Sequence, residues 1–134
     1  MLDTNICIHL IKHRASQVLH RVEALHQGEA MMSVVTLAEL RAGLEMQTAN
    51  RAHDEHVLSL LIRGIPVLSF DEAAAASDGV LRAAVRERNR DALDRLIAAH
   101  AVSLGAILVT SNEADFWNYP GLVVENWVRP TQVP

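Results

Sequence analysis

Residues 91–116 read DALDRLIAAHAVSLGAILVTSNEADF, and two periodicities meet inside them. Over residues 91–105 the apolar side chains recur at the spacing of an amphipathic helix; over residues 106–110, AILVT, they run unbroken, as in a strand buried on both faces. Working outward, the same alternation recurs. The segments AMMSVV (30–35), IPVLSF (65–70) and LVVENW (122–127) read as buried strands. Helical spacing fills the stretches between them: 14–28, with Val18, Val22 and Leu25 on one face and Gly28 as its stop, then 36–47, 52–64 and 71–88. At the start, Met1 and Leu2 read as the tail of a further strand. Asp3, Thr4 and Asn5 then occupy the turn into a helix. Strands separated by helices, often by two, imply parallel pairing through right-handed crossovers. The expected fold is α/β, a three-layer α/β/α domain around a central, mostly parallel sheet. It spans residues 1–134 as one domain, with RPTQVP from residue 129 loosely held.

Composition bounds the function. At 134 residues and 50% hydrophobic, the chain is long enough to bury a core without staples. Its single cysteine, Cys7, has no partner for a disulfide or a cysteine zinc site, so a reducing, cytoplasmic setting is expected. No apolar run reaches the roughly 20 residues of a membrane span, and the N-terminus lacks signal-peptide order. A net charge of -4 argues against a passive nucleic-acid coat, yet suits an acidic site that holds cations. Lys12 is the sole lysine; Arg82, Arg86, Arg88, Arg90 and Arg95 crowd one region, as phosphate-binding forks or as a solvated face.

On this scaffold four carboxylates fall near strand ends, where open parallel sheets bind ligands. Asp3 follows the first strand, Glu39 lies on the helix after the second, Asp94 is in the first turn of a late helix, and Asp115 follows the fourth strand. Gathered together, they would raise one another's pKa unless a cation joined them, and oxygen-only ligands select Mg2+ or Mn2+ over zinc. Each acid also has a purely structural reading. Asp3 or Thr4 would cap a helix, Thr36 and Glu39 would form a capping box, and Asp91 would cap the late helix with Asp94 favoured by its dipole. Ser69 to Glu72 has the box form too and is assigned to capping, and His100 to packing or a hydrogen bond.

The stretches MLDTNICIHLI, MSVVTLAELRAG, LDRLIAAHAVSLGAILVTSNEADF and PGLVVENW resemble, in order and spacing, the PIN-domain ribonucleases, and look most like the VapC toxins of bacterial toxin–antitoxin pairs. The resemblance covers essentially the whole chain. It implies catalytic and metal-holding roles for Asp3, Glu39 and Asp94. A fourth, more variable polar position falls on Asn112 or Asp115, with Thr110 and Ser111 in its polar surround and Asn5 orienting Asp3 or a water. Many relatives carry a Gly-Pro-rich turn where this chain has RERNRDALD, which makes Asp91 the rival of Asp94. Relatives often have several residues before the D-T-N, so either the first strand is very short or the start lies upstream. The implied activity is Mg2+- or Mn2+-dependent hydrolysis of RNA, with a structured RNA such as tRNA as substrate. The implied partners are a VapB-like antitoxin and a second copy of the chain. The apolar residues Val57, Leu58, Leu60, Leu61 and Ile62 suggest the same homodimer, unless they fill the monomer core.

Other classes fit less well. A haloacid-dehalogenase-type phosphatase needs a second aspartate where Asn5 stands, and a receiver module needs a lysine after its last strand, which Lys12 cannot supply. A catalytically silent RNA- or protein-binding domain of the same fold remains the alternative.

Overall fold

Alternation of side chains across the sheet sorts the core into two halves. A computed structural model describes residues 1–47, 49–86 and 91–129. Four short strands, β1 (Met32–Ser33), β2 (Val67–Leu68), β3 (Ile107–Val109) and β4 (Val123–Glu125), form two parallel pairs, β1 with β2 and β3 with β4. The N-terminal residues join the pairs: Leu2 bridges in parallel to both Met32 and Val109. Its N–H donates to Met31 O at 2.9 Å, and Val109 N–H donates to Met1 O at 2.8 Å. The sheet order is therefore β2, β1, the N-terminal segment, β3, β4, and every described pairing is parallel.

Because the side-chain period of a strand is two, adjacent residues serve opposite faces. Leu2, Met32 and Val109 enter one cluster with Ile6, Leu10, Leu40, Leu44 and Leu58, while Met1, Met31 and Leu108 enter another with Leu81, Ile97 and Phe116. The first cluster is covered by α1 (Thr4–Lys12), α2 (Ser16–Glu23), α3 (Val34–Met46) and α4 (Arg51–Gly64). The second lies under α5 (Glu72–Ala84) and α6 (Ala92–Leu104). These are the three expected layers. In α6 the residues Ile97, Ala98, Ala99, His100 and Ala101 are all buried, and its alanines let α5 pack close.

Local boundaries differ from the sequence reading for identifiable reasons. Ser33 caps α3, its Oγ accepting from Val35 N–H at 3.1 Å, so Val34 and Val35 are helical although their apolar run reads as strand. Helix α2 ends at Glu23 rather than near Gly28, which sits in a later turn at φ +89°. Helix α5 stops at Ala84, with Asp71 rather than Ser69 as its cap, accepting from Ala74 N–H at 2.9 Å. On α4, Leu58 is buried in the first cluster and Val57, Leu61 and Ile62 pack against it. Of the five apolar residues named for a dimer face, only Leu60 is exposed. The monomer core takes that apolar surplus. Among the described residues, no helix is long and apolar enough to cross a membrane. Residues 87–90 (ERNR) and the tail from residue 130 lie outside the described residues.

Candidate active site

Asp3 caps a helix and also faces the other candidate site residues. It ends the central strand segment, and as N-cap of α1 its Oδ1 accepts from Ile6 N–H at 3.0 Å. Its Oδ2 accepts from the Thr110 hydroxyl, and both residues are buried, at 2% and 0% exposure. Burial raises the Asp3 pKa, opposed by the Thr110 hydroxyl and the Ile6 and Asn5 amides, with Glu39 adding to the rise.

Glu39 reaches the same end of the sheet from α3. Because Ser33 is the cap, Thr36 lies inside the first turns and is buried, and Glu39 does not turn back to it. Instead its Oε1 accepts from Thr4 Oγ1 at 2.7 Å, tying α3 to α1. Thr4 was visible in the sequence only as a candidate cap; its signal as a site residue was a hydroxyl beside Asp3 on the first turn, with no way to see the long-range partner.

Asp94 sits in the first turn of α6, and Asp91 is the N-cap, accepting from Leu93 N–H at 2.8 Å. The Asp94 carboxyl is pushed up to about 7, first by burial and then by the negative charges of Asp91, Asp115, Glu39 and Asp3. Residues from four separate parts of the chain thus share one electrostatic neighbourhood. Asp91 is exposed and engaged in capping, which separates it from Asp94.

After β3, Thr110 also accepts from Asn112 N–H at 3.0 Å, and Asn112 Nδ2 donates to Asp115 Oδ2 at 2.5 Å. The two candidates for the fourth polar position are thus hydrogen-bonded to each other, in a chain that runs from Asp3 through Thr110. Ser111 lies in the same loop, half-buried; Asn5 is exposed and reaches Asp3 through its backbone amide. Of the crowded arginines, Arg95 is used inside the fold, its Nε donating to Asp78 Oδ1 at 2.8 Å across α5 and α6. Arg82 and Arg86 are exposed, and Arg88 and Arg90 lie outside the described residues. His100 is buried and hydrogen-bonded, as expected.

An oxygen-only set of mutually repelling carboxylates, two of them with raised pKa values, has the donor chemistry of a hard divalent cation site. Among the described residues no three such groups already converge on one point. Hydrogen bonds explain that spacing: Asp3 turns to Ile6 and Thr110, Glu39 to Thr4, and Asp115 to Asn112.

The family model of the PIN domain matches residues 1–122. The tRNA(fMet)-specific endonuclease VapC of Shigella flexneri is 41% identical over 132 residues, covering 95% of this chain and 96% of that protein. Two crystal structures superpose closely. DNA-bound VapBC from Salmonella typhimurium has a TM-score of 0.86 at 34% identity, covering 95% of this chain and 96% of that one. VapBC2 from Rickettsia felis, bound to a DNA fragment from its promoter, has a TM-score of 0.87 at 28% identity, covering 95% and 97%. With the sheet, the acids and the near full-length match in agreement, the chain belongs to the PIN-domain family, in its VapC ribonuclease branch.

Proposed function

We propose that the chain is a metal-dependent endoribonuclease toxin held in check by a cognate antitoxin. The observation that carries the reading is the convergence of charge on Asp94, where Asp3, Glu39 and Asp115 all add to the rise in its pKa. Asp3, Glu39 and Asp94 would hold Mg2+ or Mn2+, which when bound lowers the pKa of a water and offsets charge developing on a phosphate. The chain's own contribution is orientation. Thr110 and Ile6 fix the Asp3 carboxylate, Thr4 fixes Glu39, and Asn112 fixes Asp115. These bonds hold the carboxylates near one rim, where among the described residues no three yet converge, so a cation would have to draw them together.

RNA is the substrate class, and a structured RNA such as tRNA the favoured target, supported by the naming of the Shigella relative as a tRNA(fMet)-specific endonuclease. The VapBC complexes among the relatives support a VapB-like partner. A groove of about 140 Å³ on this chain suits it: Ile8, Ile11, Leu40 and Leu58 line it, Glu39 lies along it, and the Lys12–Asp54 ion pair borders it. An apolar helix of the partner would lie there, with an arginine or lysine reaching the acids. We place the protein in the reducing cytoplasm. Cys7 is fully buried and its thiol is pushed up by burial, so it behaves as a core residue rather than a reactive one. The homodimer rests on kinship rather than on α4; light scattering at micromolar concentration should give twice the chain mass, and a single-chain mass would remove it.

Purified chain incubated with total RNA should produce discrete fragments with Mg2+ or Mn2+ and none with a chelator. Expressed alone it should arrest growth, whereas Asp3→Ala should not, and coexpression of the antitoxin should restore growth. Metal binding without cleavage of any RNA would favour the silent binding module instead.

A further inference from the structure

We propose that His100 and Ser33 form a positioning latch that sets where Glu39 and Asp94 stand relative to each other. This inference rests on the ribonuclease reading and adds residues that touch none of the acids. His100 lies on α6 at 2% exposure, and its Nδ1 is 2.8 Å from Ser33 Oγ, which is fully buried. Ser33 ends β1 and caps α3, already accepting from Val35 N–H. Its own proton is left to donate to Nδ1, and burial, against the charge of Asp71, lowers the imidazole pKa and so favours the neutral ring that such a bond needs. The ring is braced by Phe70 in a T-shaped contact, at a centroid distance of 5.6 Å and an interplanar angle of 76°.

The placement has a lever's geometry. Asp94 stands six residues before His100 on α6, and Glu39 six residues after Ser33 along α3. At the rise of a helix each acid is about 9 Å from the latch, so a tilt of about 5° there moves a carboxylate by about 0.8 Å. A shift of that order is enough to cost about tenfold to a hundredfold in rate when the groups must act together. The bond satisfies two buried polar groups, and because one of them caps the helix that carries Glu39, it also couples the two acid-bearing helices.

The test compares His100→Leu, which removes the ring nitrogen, with His100→Asn, whose side-chain amide places a polar atom near the position of Nδ1, alongside Ser33→Ala and the double variant. Melting temperature verifies folding, Mn2+ titration by calorimetry reads the acids without turnover, and cleavage kinetics separate kcat from KM. His100→Leu should lower kcat about tenfold to a hundredfold, leave KM for RNA within about twofold, and weaken Mn2+ binding about tenfold. His100→Asn should recover most of each loss, and the double variant should be no worse than its more damaged parent. Folded His100→Leu that cleaves and binds Mn2+ like the unaltered chain overturns the latch, as does His100→Asn equal to His100→Leu, or strictly additive losses in the double variant. Should His100→Leu not fold, unchanged Mn2+ affinity and kcat in Ser33→Ala overturn it as well. Unaltered chain that neither cleaves RNA nor takes up Mn2+ removes the ribonuclease reading, and the latch with it.

Discussion

Replacing Asp94 by asparagine should make the metal-free protein more stable while making it inactive. The Asp94 carboxyl moves from 3.8 to about 7, through burial first and then the charges of Asp91, Asp115, Glu39 and Asp3. For a fully shielded group that change is worth about 4 kcal/mol; Asp94 is only partly shielded, and solvent screening brings it to about 2. The sign follows from linkage. A raised folded-state pKa means that the folded chain holds a proton the unfolded chain releases, so the penalty is absent below about pH 4, grows as pH rises, and is complete above about pH 7. Asparagine keeps the shape and carries no charge, so its gain should appear at pH 8 and vanish at pH 4. For a chain of this length about 2 kcal/mol corresponds to about 7 °C in melting temperature. The assay is thermal or urea unfolding at the two pH values in chelator, repeated with Mg2+. Added metal should stabilise the parent and leave the variant unmoved, reversing the order, and cleavage should fall at least about a hundredfold. A variant no more stable than its parent at pH 8 without metal, or equally stabilised at both pH values, refutes the claim that uncompensated carboxylate charge strains this site.

Three further substitutions probe separate parts of the fold. Thr4→Val keeps volume but removes the hydroxyl that holds Glu39, so cleavage should fall about tenfold with unfolding nearly unchanged, read by kinetics and circular dichroism side by side. Asp91→Ala removes a helix cap, at a cost of about 1 kcal/mol in urea unfolding that loss of its repulsion on Asp94 partly offsets, and cleavage should persist; lost cleavage there would make Asp91 the site acid in place of Asp94. Lys12→Met removes the largest of the three contacts, from Lys12, Gln47 and His53, that hold the Asp54 carboxylate down at about 2, and because Lys12 is exposed to solvent the loss should cost about 1 kcal/mol near pH 7. Because the Asp54 pKa is depressed, its contribution in the parent is present above about pH 4 and is lost as pH falls toward 2, so the two proteins should converge in acid.

What the sequence disclosed and what it hid divide along the range of the interactions. The layers were legible because they follow from local period: Leu2 and Met1, Met32 and Met31, Val109 and Leu108 alternate between the two cores as strand residues must. The three candidate acids came from the resemblance, since spacing alone favoured a cap over a ligand for Asp3, and the structure makes Asp3 a cap while Thr110 grips its other oxygen. Boundaries were misread where a single side chain outweighs an apolar run, as when Ser33 caps α3 and turns Val34 and Val35 from strand into helix. The partners of Thr4 and His100 could not be read at all, because Glu39 and Ser33 lie 35 and 67 residues away and no local pattern marks a hydroxyl that will meet them. Yet these hidden bonds bear most directly on function. The acids supply charge, which any sequence displays, whereas their mutual placement depends on neutral groups between helices, and a cluster of repelling carboxylates without such ties would spread toward solvent rather than wait at a common rim.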